Sequence, residues 1–99
     1  MMTINKKSEG SKLLVKIEGR LDTNTTPDAE KELMNGLENI TELTLDFAEL
    51  DYISSAGLRL LLSLQKRMNV CGSMKILNAN EIVKEIFEVT GFSDILTVE

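Results

Sequence analysis

The chain has 99 residues, 42% of them hydrophobic and 27% charged, which fits one compact globular domain and not a disordered segment. A net charge of −5 with no basic face in the sequence argues against nucleic-acid binding. There is no histidine and only one cysteine, Cys71. Ser-His-Asp and Cys-His catalysis, His-containing zinc sites, thiolate clusters and an internal disulfide framework are therefore excluded. No segment approaches the roughly 18 consecutive apolar residues of a membrane span. The opening Met1-Met-Thr-Ile-Asn-Lys-Lys has no apolar core after its lysines, so it is not a signal peptide. With a lone cysteine suited to a reducing compartment, the expectation is a cytoplasmic protein without membrane, metal or cofactor.

The first ten residues hold a short strand around Thr3-Ile-Asn, ended by the polar turn Lys6-Lys-Ser-Glu-Gly10. Leu13, Val15 and Ile17 alternate with Leu14, Lys16 and Glu18 as in a half-buried strand, which Gly19 breaks or bulges before Leu21 returns to the core. The connection is too short for a crossover, so these two strands form an antiparallel hairpin. Asp22-Thr-Asn-Thr-Thr26 reads as a turn, with Thr26 as N-cap, Pro27 at the first helical position and Asp28 in the first turn. Ala29, Leu33 and Leu37 give this helix one apolar stripe to about Asn39, and Gly36 costs it roughly 1 kcal/mol of propensity.

Leu43, Leu45 and Phe47 mark the next strand, and strand–helix–strand spacing implies a parallel crossover. An acidic loop over residues 48–55 follows, then a helix from Ala56 to Met68 that is apolar on more than one face and emerges at Gln65-Lys66-Arg67. Gly72 ends it. Met74, Ile76 and Leu77 form a further strand. Asn80 caps a last helix whose buried stripe is Ile82, Val83, Ile86, Phe87 and Val89, with Gly91 as left-handed stop and Phe92 folding back. Ile95, Leu96 and Val98 suggest an edge strand. The class is α/β, with a mixed four- to five-stranded sheet carrying an antiparallel hairpin at one side and packed helices. In such sheets functional loops follow the carboxyl ends of strands, so the 48–55 loop and Asp22 are expected to share one edge.

Chemistry concentrates where Ser54 and Ser55 meet the start of the apolar helix. As a nucleophile Ser55 lacks a base, the esterase elbow is broken by Ile53 although Gly57 is in place, and Lys66 lies three turns along the helix. No GxxxxGK[ST] or GxGxxG is present, so a nucleotide cradle has no motif behind it. Capping alone accounts for both serines, with Ser54 as N-cap and Ser55 at the first helical position. Two details point beyond capping. Ala56 and Gly57 leave little side-chain cover beside Ser55, and Asp22, Asp46 and Asp51 make the neighbourhood acidic.

The run Leu45-Asp-Phe-Ala-Glu-Leu-Asp-Tyr-Ile-Ser-Ser-Ala-Gly-Leu-Arg-Leu-Leu-Leu62 resembles the signature of STAS-domain anti-sigma factor antagonists. Gly19-Arg-Leu-Asp22 resembles that family's strand-end turn, and Ile86-Phe-Glu-Val-Thr-Gly-Phe92 its last helix and stop. The resemblance spans nearly the whole chain and implies a single STAS domain over residues 1–99. It implies a non-enzymatic partner switch: the unphosphorylated protein binds an anti-sigma factor, which is also a serine kinase, and so releases a sigma factor. Phosphorylation ends the capture and a PP2C-type phosphatase restores it. By position the phosphorylated residue falls on Ser55. Many family members carry aspartate where this chain has Ser54, which leaves Ser54 as the alternative hydroxyl. The implied partner-binding surface is Asp22, Asp51, Ser54, Ala56, Gly57, Leu58 and Arg59, with no cofactor and no nucleic acid. From the residues themselves, Asp22 is also readable as a plain turn residue, Gly57 as a helix–sheet packing position and Arg59 as a solvated side chain. Another role carried on the same fold is a STAS module that senses a nucleotide or small ligand, or a subunit of a larger transport or signalling complex.

Overall fold

A computed structural model describes residues 2–99. In chain order it contains β1 (Met2–Glu9), β2 (Lys12–Leu21), α1 (Thr26–Met34), β3 (Glu42–Asp46), β4 (Leu50–Ile53), α2 (Ser55–Cys71), β5 (Ser73–Leu77) and α3 (Glu81–Val89), followed by a 3-10 turn at Phe92–Asp94. The strands form one mixed sheet in the order β1-β2-β3-β5, with β4 also paired to β2. β1 and β2 are an antiparallel hairpin, and every other pairing is parallel. Leu13, Val15, Ile17, Leu43, Leu45, Met74 and Ile76 are buried, whereas the residues alternating with them are exposed or half-buried. The helices thus cover one face of the sheet. No helix among the described residues is long and apolar enough to cross a membrane.

Several sequence expectations shift by a few residues. β1 continues through Lys6, Lys7 and Ser8, which pair with Val15, Leu14 and Leu13, so the turn is only Gly10 and Ser11. Cross-strand ladder bonds outweigh the polar composition there. α1 begins at Thr26, making Thr25 its cap, and ends at Met34 instead of near Asn39. Asn35 is already extended, and Gly36 at φ 98° takes a left-handed conformation that a helix interior does not allow. Leu37 remains in the core although it lies beyond the helix.

The 48–55 segment is not all loop. β2 offers one outer edge, which β3 occupies along Lys12–Lys16 and β4 occupies along Gly19–Leu21. Within the β4 pairing the register shifts at Gly19/Arg20, where Leu50 and Tyr52 oppose consecutive residues, and the Gly19 N–H donates to the Glu49 carbonyl at 2.9 Å. The shift leaves Leu50 and Ile53 buried three residues apart, so period-2 alternation does not reveal the strand.

α2 runs on to Cys71, and the Gly72 N–H donates to Met68 O at 2.7 Å. Gln65, expected to emerge, is buried with its Nε2 donating to Asn69 Oδ1 at 2.8 Å. In α3 only Val83 and Phe87 of the expected stripe are buried; Ile86 is half-buried, and Ile82 and Val89 are exposed. Asn80 caps α3 through the Val83 N–H and donates Nδ2 to Leu50 O at 3.0 Å, fastening the helix start to β4. Gly91 sits at φ 80°, as a left-handed stop requires. The chain end makes a single parallel bridge, Ile76 to Val98, and no strand.

Gly57 sets how closely α2 approaches the sheet. A Cβ at this position would lie 2.6 Å from Ile53 Cγ1 and 2.9 Å from the Leu21 carbonyl oxygen. Gly57→Ala gains about 1 kcal/mol of helix propensity but forces α2 off a backbone oxygen. The expected net effect is a destabilisation of about 1–2 kcal/mol, measured as a lower urea midpoint. A midpoint at or above the parent's would refute this packing role.

Asp46 closes the β3 end. Its Oδ1 accepts the Ala48 N–H at 2.9 Å and Asn78 Nδ2 at 3.1 Å. These bonds, the Ala48 amide first, hold its carboxyl below the usual aspartate range. Because the folded pKa is depressed, the stabilisation is present above the unfolded value of about 3.9 and is lost as pH falls through the lower folded value. Asp46→Ala should cost about 1 kcal/mol at neutral pH. The difference from the parent should vanish in acid below both values, as read from urea midpoints across that range.

Candidate functional site

The site forms where β2 and β4 end side by side. Leu21 pairs with Ile53, and the Ser54 N–H continues the ladder by donating to Leu21 O at 2.9 Å. Asp22 and Ser54 are each the next residue after one of these paired strand ends. The shared edge expected from the sequence is therefore present.

On the β2 side, Asp22 organises a tight turn. Its Oδ1 accepts the N–H groups of Asn24 at 2.9 Å and Thr25 at 3.1 Å. Its own N–H donates to Thr25 Oγ1 at 2.9 Å, and that hydroxyl donates to Arg20 O at 2.8 Å. Thr26 Oγ1 donates to the Asp22 carbonyl at 2.6 Å. The Thr25 amide is the main cause of a carboxyl pKa below the usual range, with smaller contributions from Asn24 and the Arg20 guanidinium. Asp22 is therefore a fixed negative charge at neutral pH as well as a turn residue.

On the β4 side, α2 begins at Ser55, and Ser54 is its N-cap with Oγ accepting the Gly57 N–H at 3.4 Å. Ser54 is half-buried and its hydroxyl is engaged, whereas Ser55 is exposed at the first helical position. The first-turn N–H groups of α2 and its dipole favour negative charge at this end. No histidine is present to act as a base for Ser55.

The seven residues expected to bind a partner divide into two groups. Asp51 and Arg59 are exposed and form no ion pair among the described residues, while Asp22, Ser54 and Ala56 are half-buried at the edge. Gly57 and Leu58 are buried. Their inclusion in the surface is corrected, because the first turn of α2 aims them at the sheet, and Gly57 serves helix–sheet packing.

Two further residues join the edge that sequence reasoning passed over. Arg20 and Tyr52 face each other across β2 and β4, with the guanidinium 4.7 Å from the ring centroid. Arg20 Nε also lies 3.7 Å from Asp22 Oδ2. The available signal was the position of Arg20 inside Gly19-Arg-Leu-Asp22 and of the chain's only tyrosine within the serine run. Without the β4 pairing, nothing in the sequence joins them.

Comparison with known proteins agrees with this geometry. The STAS domain profile matches residues 3–99. BtrV of Bordetella bronchiseptica is 33% identical over 88 residues, covering 87% of this chain and 76% of that protein. The anti-sigma-B factor antagonist of Staphylococcus epidermidis is 30% identical over 86 residues, covering 85% and 80%. The anti-sigma factor antagonist SpoIIAA has been solved unphosphorylated, with a TM-score of 0.84 at 17% identity, covering 98% of this chain and 88% of that one. Its phosphorylated Bacillus form gives a TM-score of 0.76 at 16% identity, covering 98% and 91%. At that identity the likeness shows the fold; the profile and the closer relatives show the family. The chain belongs to the STAS-domain family of anti-sigma factor antagonists.

Proposed function

We propose that this chain is a phosphorylatable binding module that captures an anti-sigma factor and is switched off by phosphate on Ser55. The observation that carries this reading is the division of labour between the two serines. Ser54 spends its hydroxyl on the α2 cap, while Ser55 is exposed one residue later. Of the two serines, Ser55 is the one a kinase reaching this edge meets in the open. The existence of SpoIIAA in both forms supports phosphate as the switch in a fold of this kind.

The partner is an anti-sigma factor that is itself a serine kinase, opposed by a PP2C-type phosphatase. Docking involves the exposed part of the edge, namely Asp22, Asp51, Ser54, Ser55, Ala56 and Arg59, joined by Arg20 and Tyr52. Phosphate adds about −1.5 to −2 charges at pH 7 beside the fixed charge of Asp22 and the carboxylate of Asp51. A partner seated there would have to desolvate that charge. The same charge lies at the N-terminus of α2, where the dipole favours it. The switch then works by blocking docking while the fold persists.

Incubation with the cognate anti-sigma kinase and ATP, followed by mass mapping, tests the assignment. Phosphate is expected on Ser55, and Ser55→Ala is expected to abolish it. Full phosphorylation of that variant would overturn the site. Ser55→Asp should weaken binding more than about a hundredfold, equivalent to roughly 3 kcal/mol, with an unchanged circular dichroism spectrum. Binding as tight as the parent's would refute the electrostatic mechanism. Ser54→Ala should remain a substrate and lose about 1 kcal/mol of stability through its missing cap, measured by urea unfolding.

A further inference from the structure

Leu14, Val70 and Ile95 are exposed singly elsewhere in the fold, but two exposed hydrophobic side chains share α3. Among the described residues, Ile82 at 58% exposure and Val89 at 77% lie on α3. With half-buried Ile86 they are spaced i, i+4, i+7, so they form one stripe along the helix. Val83 and Phe87 anchor α3 in the core and Ile86 packs partly against it, so the exposed surface of Ile82 and Val89 is additional to what the fold consumes. A continuous apolar row differs from single exposed residues, which need no explanation.

The stripe has a charged border. Glu81, Glu85 and Glu88 repeat at the same i, i+4, i+7 spacing, and at about 100° per residue they form the adjoining row. All three are exposed, and none is in an ion pair among the described residues. Lys84 falls beyond the glutamates, away from the isoleucines. α3 therefore presents an apolar row flanked on its outward side by unneutralised carboxylates.

We infer that this face of α3 is a docking site for a basic amphipathic helix of a partner protein, whose apolar stripe covers Ile82, Ile86 and Val89 while its lysines or arginines meet Glu81, Glu85 and Glu88. Charge complementarity selects this occupant. In an antiparallel two-fold pairing of two α3 helices the glutamate rows would oppose each other, which disfavours that arrangement of a second copy. An anionic bilayer is repelled by the same row. A helix laid along a helix gives the apolar match, and its basic flank supplies orientation and a salt-dependent association rate. The surface includes none of the serine-loop residues. It stays available whether or not Ser55 carries phosphate, and the inference does not depend on that switch.

The test uses the 15N-labelled full chain and three synthetic helices of about 18 residues, or five turns. They share one leucine stripe and are flanked by lysine, glutamine or glutamate. The lysine helix should give saturable amide shifts centred on residues 81–89, weakened by added salt, and the glutamate helix should give none. The double variant Ile82→Ser, Val89→Ser should weaken the lysine helix about tenfold, as expected when two anchoring side chains are lost. The triple variant Glu81→Gln, Glu85→Gln, Glu88→Gln should weaken it while abolishing the preference for lysine over glutamine. Both variants alter only exposed side chains, and their thermal melts verify that they fold. Shifts spread over the whole acidic surface, equal affinity of the serine variant, or equal binding of the glutamate helix would overturn the inference. So would concentration-dependent self-association of the free chain that the Ile82→Ser, Val89→Ser variant abolishes, because it would assign the stripe to a second copy.

Discussion

The parallel pairing of β4 with the last residues of β2 is the constraint on which the rest depends. Leu21 and Ile53 are both fully buried partners in this ladder, so the pairing is held by the core beneath it as well as by its hydrogen bonds. The Ser54 N–H to Leu21 O bond extends the ladder by one residue, past the end of β4 and into the cap of α2. A turn and a helix start, separated in the chain by 31 intervening residues, are thereby fixed against each other. The turn contributes Asp22, the helix start contributes Ser55, and neither is positioned by its own local structure alone.

That ladder exists because β2 is long enough to be shared. Its ten residues accept β3 along Lys12–Lys16 and β4 along Gly19–Leu21, and the β4 ladder itself shifts register at Gly19/Arg20. The extra residue lies in β4, where Leu50 and Tyr52 pair with the consecutive Gly19 and Arg20. A bulge re-aims the strand that carries it, and Tyr52 here faces Arg20 at the edge. Close approach of α2 then requires Gly57, because a side chain there would meet the Leu21 carbonyl. Bulge, glycine and cap are separate local devices that serve one placement.

The chemistry of the edge follows from what surrounds the hydroxyl. Ser55 has a helix N-terminus beside it and no base, an arrangement that tolerates an acquired phosphate better than it activates a nucleophile. In the proposed switch, the acidic groups at this edge make a phosphate on Ser55 costly to bury under a partner. A rigid scaffold and a charge-sensitive surface are compatible because the group that caps the helix and the group that remains free are different serines.

Periodicity in the sequence was sufficient for the antiparallel hairpin, the alternating α/β order, the apolar α2 and the buried face of the sheet, since each rests on local repeats of apolar residues. The Ser54 cap, the exposure of Ser55 and the edge shared with Asp22 were legible for the same reason: cap chemistry and strand-end topology are short-range rules. β4 was not, because a register shift erased its alternation, and neither was the Arg20–Tyr52 contact that β4 creates. Gly57 and Leu58 looked available and are buried, while Ile82 and Val89 looked buried and are exposed. A helical pattern says which side chains share a face, but only the packed neighbours decide which face is covered. For α3 the core takes Val83, Phe87 and part of Ile86, leaving Ile82 and Val89 at the surface.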